Sequence, residues 1–406
     1  MSANDPFDAV RIVGVHTTEQ SRDLSHRSGF SLALEAVHGA LADAGMDVSD
    51  VDGIASWVTE GWPYGVDEPV LYQPTFWARQ LRRPLRWVPV AWGIPAMLDA
   101  AGAIANGLAS TVVLVVGGSR ARPADATASW TRPPDEFTAW TGSYTAVQFA
   151  LAAQRYIHEY GPTGLEGMAE AAAAIRTFGH LNPDAVYAGR GPFSAEDVLR
   201  SRPVASPLTL LMCSTVSDGG CAIVMTHRDR ARDTRRTPIR ILGGGNQQPY
   251  PAYFEPPVLH YVPDEGAFAR EGLARAGIRH DDIDVVEFYD HFASGVLMQY
   301  ETYGFCGQGE AGEFVKSGVM RLDGRYPTCT DGGNLSFSHN GNPTLFRPIE
   351  AVRQLRGDVR DGCPGWDRGE HTHDPSLCRA VRDPQVAFVT NAGPPTGGGS
   401  FMVLAR

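Results

Sequence analysis

The chain has 406 residues, 43% of them hydrophobic and 20% charged, with a formal net charge of −11. This is the composition of a globular protein with a large core, two or three domains long, and it excludes a basic nucleic-acid surface and any apolar run long enough to span a bilayer. The opening "MSANDPFDAVRIVGVH" lacks a basic stretch followed by an apolar one, so no secretion signal is expected, and six scattered cysteines are read as reduced thiols in a cytoplasm.

In chain order, "VRIVGVH" from Val10 reads as a strand. A helix then ends at "AG", where Gly45 serves as C-cap. A short acidic turn, an apolar strand, the helix "AMLDAAGAIANG" and the strand "TVVLVVGG" follow. From about 119 to 205 the chain carries helical stretches ("YTAVQFALAAQRYIHEYG", "GLEGMAEAAAAIRTFGHLN") and Pro-rich loops, which read as an inserted cap. The strand "PIRILGGG" then opens a second series. Leu41, Ala42, Ala44, Gly45, Asp50 and Asp52 match Leu273, Ala274, Ala276, Gly277, Asp282 and Asp284 at the constant offset that separates Leu41 from Leu273. The second series closes with "TLFRPIEAVRQLRG" and "VAFVTNAG", and "GCPGWDRGEHTHDPSLC" reads as a smaller loop insertion before its last strands. Strands alternating with helices imply sheets covered on both faces. The duplication implies two α/β halves about a pseudo-dyad, residues 1–236 with the cap and residues 237–406.

The segment "VVEFYDHFASG" is the first pointer to chemistry. The buried-strand pattern from Val285 to Phe288 runs straight into Tyr289, Asp290 and His291, three proton-handling side chains, just before the helix-like "VLMQYETYGF". Polar groups at the end of a strand are where α/β folds place ligand sites.

Specific segments resemble the thiolase superfamily, in its sterol-carrier-protein-x or lipid-transfer-protein type. "PLTLLMCSTVSDGGCAIVM" resembles that family's strand ending in an "SDGA"-like turn, here Ser217, Asp218, Gly219 and Gly220. "VEFYDHF" with "GFCGQGEAGEFVKSG" resembles its His-Asp-x-Phe segment and continuation, and "YPTCTDGGNLSFSHNGNP" resembles the loop carrying its catalytic histidine. The resemblance covers nearly the whole chain in order. It implies a thiolase fold: two duplicated α/β halves (βαβαβαββ-like) layered α/β/α/β/α. It also implies a nucleophilic cysteine at the start of the helix "AMLDAAGAIANG", gaining from the helix dipole. With Gly93 as an anchor that position falls at Val90, and "RWVPVAWGIPAM" has no Cys or Ser. The second expected cysteine belongs in "VTNAGPPTGGGS", where Asn391 and Gly393 stand instead. Covalent acyl transfer is therefore expected to be lost.

The proton-handling groups remain. The resemblance puts Tyr289 where an Asn or His binds the thioester oxygen and aligns His339 with the catalytic histidine. Beside them, Asp290 reads as a group that orients backbone or His339, His291 should point to the opposite side from Asp290 with a structural role favoured over a catalytic one, and Phe337 reads as a pocket wall. Two helix N-termini, near Val90 and after His339, should converge as an oxyanion site. The plainer readings are a core tyrosine bonded to a carbonyl, a loop histidine fixing "SHNGNP", and core thiols at Cys213 and Cys221. A thiolase scaffold without its thiol resembles the steroid side-chain acyl-CoA aldolases, which cleave a β-hydroxyacyl-CoA by retro-aldol chemistry. That implies coenzyme A as part of the substrate and no other cofactor, a homodimer, and an OB-fold, zinc-ribbon partner protein. An acyl-CoA C-acyltransferase and a non-catalytic subunit stay open as alternatives. A Schiff-base route would need Lys316, the only lysine, which lies in a polar turn. Cys363, His371, His373 and Cys378 have metal-ligand chemistry but no standard zinc spacing, so no metal is expected there. Arginines in "SRARPADATASWTRPP" are candidates for the coenzyme's phosphates, without a signal to single one out.

Overall fold

The structure, a computed structural model, describes residues 6–60, 69–89, 93–119, 145–247, 266–339, 343–365, 368, 374–391 and 399–406. β1 (Val10–Thr17) leads to α1 (Gly29–Ala44), β2 (Gly53–Glu60), α2 (Pro69–Gln80), α3 (Gly93–Ala105) and β3 (Thr111–Ser119). Helices α4 (Thr145–Tyr160), α5 (Thr163–Leu181) and α6 (Ala195–Arg200) and the short strands β4 (Pro203–Ala205) and β5 (Leu208–Thr209) come before β6 (Gly219–His227). The second series is β7 (Ile239–Gln247), α7 (Ala267–Ala276), β8 (Val285–Glu287), α8 (Ala293–Thr302), α9 (Ala311–Lys316), α10 (Phe346–Arg356), α11 (Asp358–Asp361), β9 (Val386–Asn391) and β10 (Gly399–Ala405).

Eight of these strands form one sheet in the order β2-β3-β6-β1-β7-β10-β9-β8. The order is palindromic when β1, β2, β3 and β6 are matched with β7, β8, β9 and β10. In each half the outermost pair is parallel and the inner pairs are antiparallel. At the join between halves Arg11 faces Arg240, its counterpart in "VRI" and "IRI".

The matched residues do matching work. Gly45 and Gly277 both end their helices in the left-handed region, at φ 71° and 69°, and their amides return to Ala42 and Ala274. Asp50 accepts the amide of Asp47, and Asp282 that of Arg279. The Asp52 carboxylate takes the amides of Ser110 and Thr111 at 2.8 and 2.9 Å, which fixes the start of β3. Asp284 takes those of Gln385 and Val386 at 2.8 and 3.0 Å, which fixes the start of β9. Each pair of carboxylates satisfies amides that the ladder leaves unpaired.

The layers follow from alternation along the strands. Ile94, Met97 and Ile104 of α3 and Ile349, Val352 and Leu355 of α10 share one core with Ile12, Ile223, Val389 and Met402. Both helices therefore lie between the halves. Val37 and Leu41 of α1 cover the outer face of the first half, over Val13, Val113 and Val224. Leu273 of α7 covers the second, with Phe401 and Val403. The result is a layered α/β/α/β/α thiolase arrangement. The cap helices lie on the second half: Phe149 of α4 stacks on Phe292 at 4.6 Å, and a Cβ at Gly167 of α5 would come within 2.7 Å of the Gly312 backbone. Among the described residues no helix is long and apolar enough to cross a membrane.

One expectation is corrected. Cys363 and Cys378 form a disulfide, with Cα atoms 5.4 Å apart, so these two cysteines are not reduced thiols. The small insertion is stapled at its base. His371 and His373 lie outside the described residues.

Candidate active site

β8 and β9 run parallel, so both deliver their C-terminal ends to one edge. β8 passes into Phe288-Tyr289-Asp290-His291, and β9 ends at Asn391. Both sides of the Tyr289 backbone are tied down. Its N–H donates to Thr390 Oγ1 at 3.0 Å, the Thr390 hydroxyl donates to Gln299 Oε1 at 2.6 Å, and Gln299 Nε2 donates to the Tyr289 carbonyl at 3.0 Å. This ring of bonds sets the direction in which the half-buried phenol leaves the backbone.

His339 reaches the same place from a π-helical turn, Gly333–Phe337. Asp290 is fully buried and shapes that turn: its carboxylate accepts the amides of Asn334 at 2.7 Å and Leu335 at 3.2 Å. Gly333 has a φ of 59°, and a Cβ there would sit 1.9 Å from Asp290 Oδ2, so only glycine fits. The amide of His339 donates to Ser217 Oγ at 2.8 Å; Ser217 is bonded to the Ser338 hydroxyl at 2.8 Å, which donates to Gln20 Oε1 at 2.7 Å. The Tyr289 and His339 rings are neighbours, tilted by 53° with centroids 6.5 Å apart, and the His291 ring lies 4.9 Å from Tyr289.

A buried charge network underlies the turn. Arg347 grips Asp331 with both terminal nitrogens at 2.7 Å and reaches Glu287 at 3.0 Å. Burial pushes Asp290 up to about 6, against the pull of Arg347. Burial drives His291 down to about 4, so its imidazole is neutral at physiological pH. Its Nδ1 lies 3.2 Å from the Tyr289 carbonyl, which only accepts, so Nδ1 carries the proton. Nε2 is then a buried acceptor with no partner among the described residues.

The helix N-termini meet as well. Gly93 opens α3 at φ 65°, and a Cβ there would lie 2.5 Å from Asn391 Nδ2 and 2.9 Å from Thr344 Cβ, just ahead of α10. The end of β9 and the starts of two central helices converge, where unpaired amides favour negative charge. Phe337 is buried and packs edge-on against Phe346 at 5.2 Å. Val90, Gly393 and the arginines of the Pro-rich cap loop lie outside the described residues.

None of the four free cysteines is an activated thiol. Burial pushes Cys213 and Cys306 up to about 12 and raises Cys221 and Cys329 as well. Lys316 pairs with Glu166 at 2.5 Å and Glu313 at 3.2 Å, contacts that raise its pKa, the opposite of a Schiff-base amine. Among the described residues no cluster of His, Cys, Asp or Glu is placed to hold a metal ion.

Ser338, Gln20, Thr390 and Gln299 are positioning residues that sequence reasoning missed, and Ser217 was marked only as part of a motif. The available signal was a threonine at the end of the apolar "VAFVT" and a glutamine following the apolar "VLM".

Residues 266–363 match the thiolase C-terminal domain-like family. Over 379 residues, 86% of this chain and 90% of the relative, the sequence is 33% identical to a steroid side-chain-cleaving aldolase of Thermomonospora curvata. The chain belongs to the thiolase superfamily, in its aldolase branch. This aldolase-branch chain is also 32% identical, over 85% of its length and 91% of the relative's, to a 17-hydroxy-3-oxo-4-pregnene-20-carboxyl-CoA lyase of Mycobacterium tuberculosis. The solved Ltp2-ChsH2(DUF35) aldolase superposes on it with a TM-score of 0.76 at 30% identity, covering 98% of each chain. Human mitochondrial 3-ketoacyl-CoA thiolase, at 15% identity and a TM-score of 0.65 over 98% of each chain, shares the fold.

Proposed function

We propose that this protein is a carbon–carbon lyase that cleaves a bulky β-hydroxyacyl-CoA, of the steroid side-chain class, to a ketone and a shorter acyl-CoA. The observation that carries the reading is the pairing of Tyr289 with His339 beside two helix N-termini, in a chain whose four free cysteines are all held protonated by burial. A base removes the proton of the β-hydroxyl. The oxygen electrons form the ketone carbonyl, the Cα–Cβ bond breaks, and its electron pair moves into the thioester enolate. The enolate oxygen rests at the helix N-termini, and an acid returns a proton to carbon. Tyr289 takes the hydroxyl proton or polarises the thioester oxygen. His339 supplies the second proton or holds the enolate, and neutral, buried His291 packs beside the phenol. Coenzyme A enters as part of the substrate, and the chemistry as drawn calls on no further cofactor.

The same reading divides the chain near residue 236 and places its work in the cytoplasm. It also includes a homodimer and a partner subunit like the DUF35 component named in the solved neighbour. Sedimentation of the chain alone and with such a partner tests the assembly, and a fully active monomer would refute it. The activity is tested by supplying a β-hydroxyacyl-CoA with a tertiary β-hydroxyl and looking for ketone and short acyl-CoA. Acyl transfer to free CoA without retro-aldol products would instead establish the acyltransferase reading.

A further inference from the structure

The Cys363–Cys378 disulfide lies just under the surface, with exposed Gly362, Pro364 and Leu377 beside the two buried cysteines. The pair shares a small apolar cluster with Val359 and Ala380, separate from the larger cores. Little buried surface besides the bond therefore ties the insertion down. From Cys378 a run of buried contacts leads to the turn that carries His339. Arg379 Nη1 donates to Glu350 Oε1 and to the Thr330 carbonyl, the latter at 3.3 Å. Gln354 clamps the same segment, donating through Nε2 to the Arg379 carbonyl and accepting the Val381 amide, each at 3.0 Å. The Thr330 hydroxyl lies 2.7 Å from Glu350 Oε1, and the Thr330 amide donates to Glu287 Oε1 at 3.0 Å. The next residue, Asp331, accepts the amide of Gly333 at 2.7 Å, and Gly333 opens the π-helical turn that ends ahead of His339.

The charges make this run a competition. Three buried carboxylates, Glu287, Asp331 and Glu350, share two cations, Arg347 and Arg379. Burial pushes Glu287 well up, Arg347 opposes the rise, and Asp331 and Glu350 add to it, so the Glu350 charge is felt at the group Arg347 holds. Glu350 Oε2 is itself buried with no hydrogen-bond partner among the described residues. With Arg379 withdrawn, all three carboxylates bear on Arg347 alone, and a buried charge that loses its partner is costly. The grip of Arg347 on Asp331, and with it the anchor of the Gly333 amide, is what such a redistribution loosens.

We propose that the Cys363–Cys378 pair is a thiol–disulfide switch: closed, it holds Arg379 in the network beneath the His339 turn, and open, it lets that turn slacken and turnover fall. The effect on turnover rests on the lyase reading; the effect on the turn does not. A dithiol reductant opens the bond. Its thiolate attacks Cys363, the more exposed of the two, to form a mixed disulfide and expel Cys378 as the thiolate. Its second thiol then closes the reductant's own disulfide and releases Cys363. Two electrons and two protons pass to the pair, and an oxidised dithiol reverses the step. In the cytoplasm proposed for this chain, disulfides are characteristically transient and redox-sensing.

The test compares the full chain oxidised, reduced with dithiothreitol and reoxidised, alongside Cys363→Ser and Arg379→Gln. Thiol titration of the unfolded protein should count four thiols before reduction and all six after it. Reduction should lower kcat for β-hydroxyacyl-CoA cleavage about tenfold and reversibly. It should also speed amide exchange at Gly333, Asn334 and Leu335, with far-UV dichroism unchanged. Cys363→Ser should sit at the reduced level under every treatment, and oxidised Arg379→Gln should match it. Should Arg379→Gln not fold, the reduction and reoxidation of the wild type decide alone. Turnover and exchange that ignore reduction would overturn the proposal. So would loss of dichroism on reduction, which marks a structural staple, or an equal response in Cys363→Ser, which places the sensitivity at another cysteine. If exchange at the turn follows the redox state but neither form cleaves a β-hydroxyacyl-CoA, the lyase reading fails and the coupling stands. Cleavage at equal rates in both forms keeps the lyase reading and removes the switch.

Discussion

The hydroxyl of Ser217 accepts the backbone N–H of His339 at 2.8 Å, across 122 residues of sequence. The histidine's position is thus set by a strand turn in the other half of the protein. Ser217→Ala leaves that amide without an acceptor, so stability should fall by about 1–3 kcal/mol. Turnover should fall on the order of tenfold, with the shape of its pH profile retained, because the imidazole is displaced rather than removed. Unchanged turnover would show that this bond does not position His339.

Tyr289→Phe removes one hydroxyl from a residue whose backbone is held on both sides. The fold should survive, and turnover should drop by about 10²-fold or more. For His339, solvent deuterium separates two roles. If it protonates carbon, His339→Ala lowers both the rate and the label in the acyl-CoA product. If it only holds the oxyanion, the rate falls and label per turnover stays constant. A mutant with wild-type rate and labelling would remove His339 from the mechanism.

Asp290 and His291 are adjacent and titrate with opposite effect on stability. Asp290 is held up to about 6, above an ordinary 3.8, so between those values the fold binds a proton that the unfolded chain releases. Its contribution is present at low pH and lost as pH rises through that window. His291 is held down to about 4, below an ordinary 6.5, so its contribution is lost as pH falls through 6.5 toward 4. The two slopes oppose each other over most of this range, and in His291→Phe the Asp290 slope is no longer opposed by His291. Relative to the wild type, the variant should lose stability as pH rises from 4 to 6, by up to about 1.4 kcal/mol per unit. Denaturant midpoints of both proteins across that range provide the measurement, and parallel profiles would refute it.

The Cys363–Cys378 bond closes a short loop, with a sequence separation of 15. Loop-closure entropy assigns a loop of that size about 3 kcal/mol. Cys363→Ser, or reduction of the wild type, should lower the unfolding midpoint accordingly. Arg379, next in sequence to Cys378, is paired with Glu350 in the buried polar network, so the loosened insertion should also exchange amide hydrogens faster near Thr330. Identical midpoints in oxidised and reduced protein would show that the staple adds nothing.

The duplicated scaffold was legible because its signals are local. Gly45 and Gly277 end helices, and Asp52 and Asp284 reach amides beside their own strands, so the same letters recur at one spacing. Tyr289 and His339 were legible only through motif resemblance, which says nothing about what holds them. The supports join distant residues: Gln20 to Ser338 over 318 positions, Asp290 to Asn334 over 44. No periodicity records such pairs. The disulfide was missed because the compartment argument was applied to all six cysteines alike, and only the fold shows that two of them meet.

Arg11 and Arg240 face each other where the two halves join. A position on a twofold axis meets its own copy, so a dimer of identical halves would set like charge against like there, with no means of changing one side alone. The fused chain has already diverged around the pair. Arg11 donates to the carbonyls of Asp8 and Val10, each at 2.8 Å, while Arg240 turns to the carbonyl of Arg406 at 3.2 Å. In one polypeptide the two arginines are separate genetic loci. Each can acquire its own neighbours by mutation without imposing the change on the other, a freedom open to a tandem duplication and closed to a homodimer of its ancestral half.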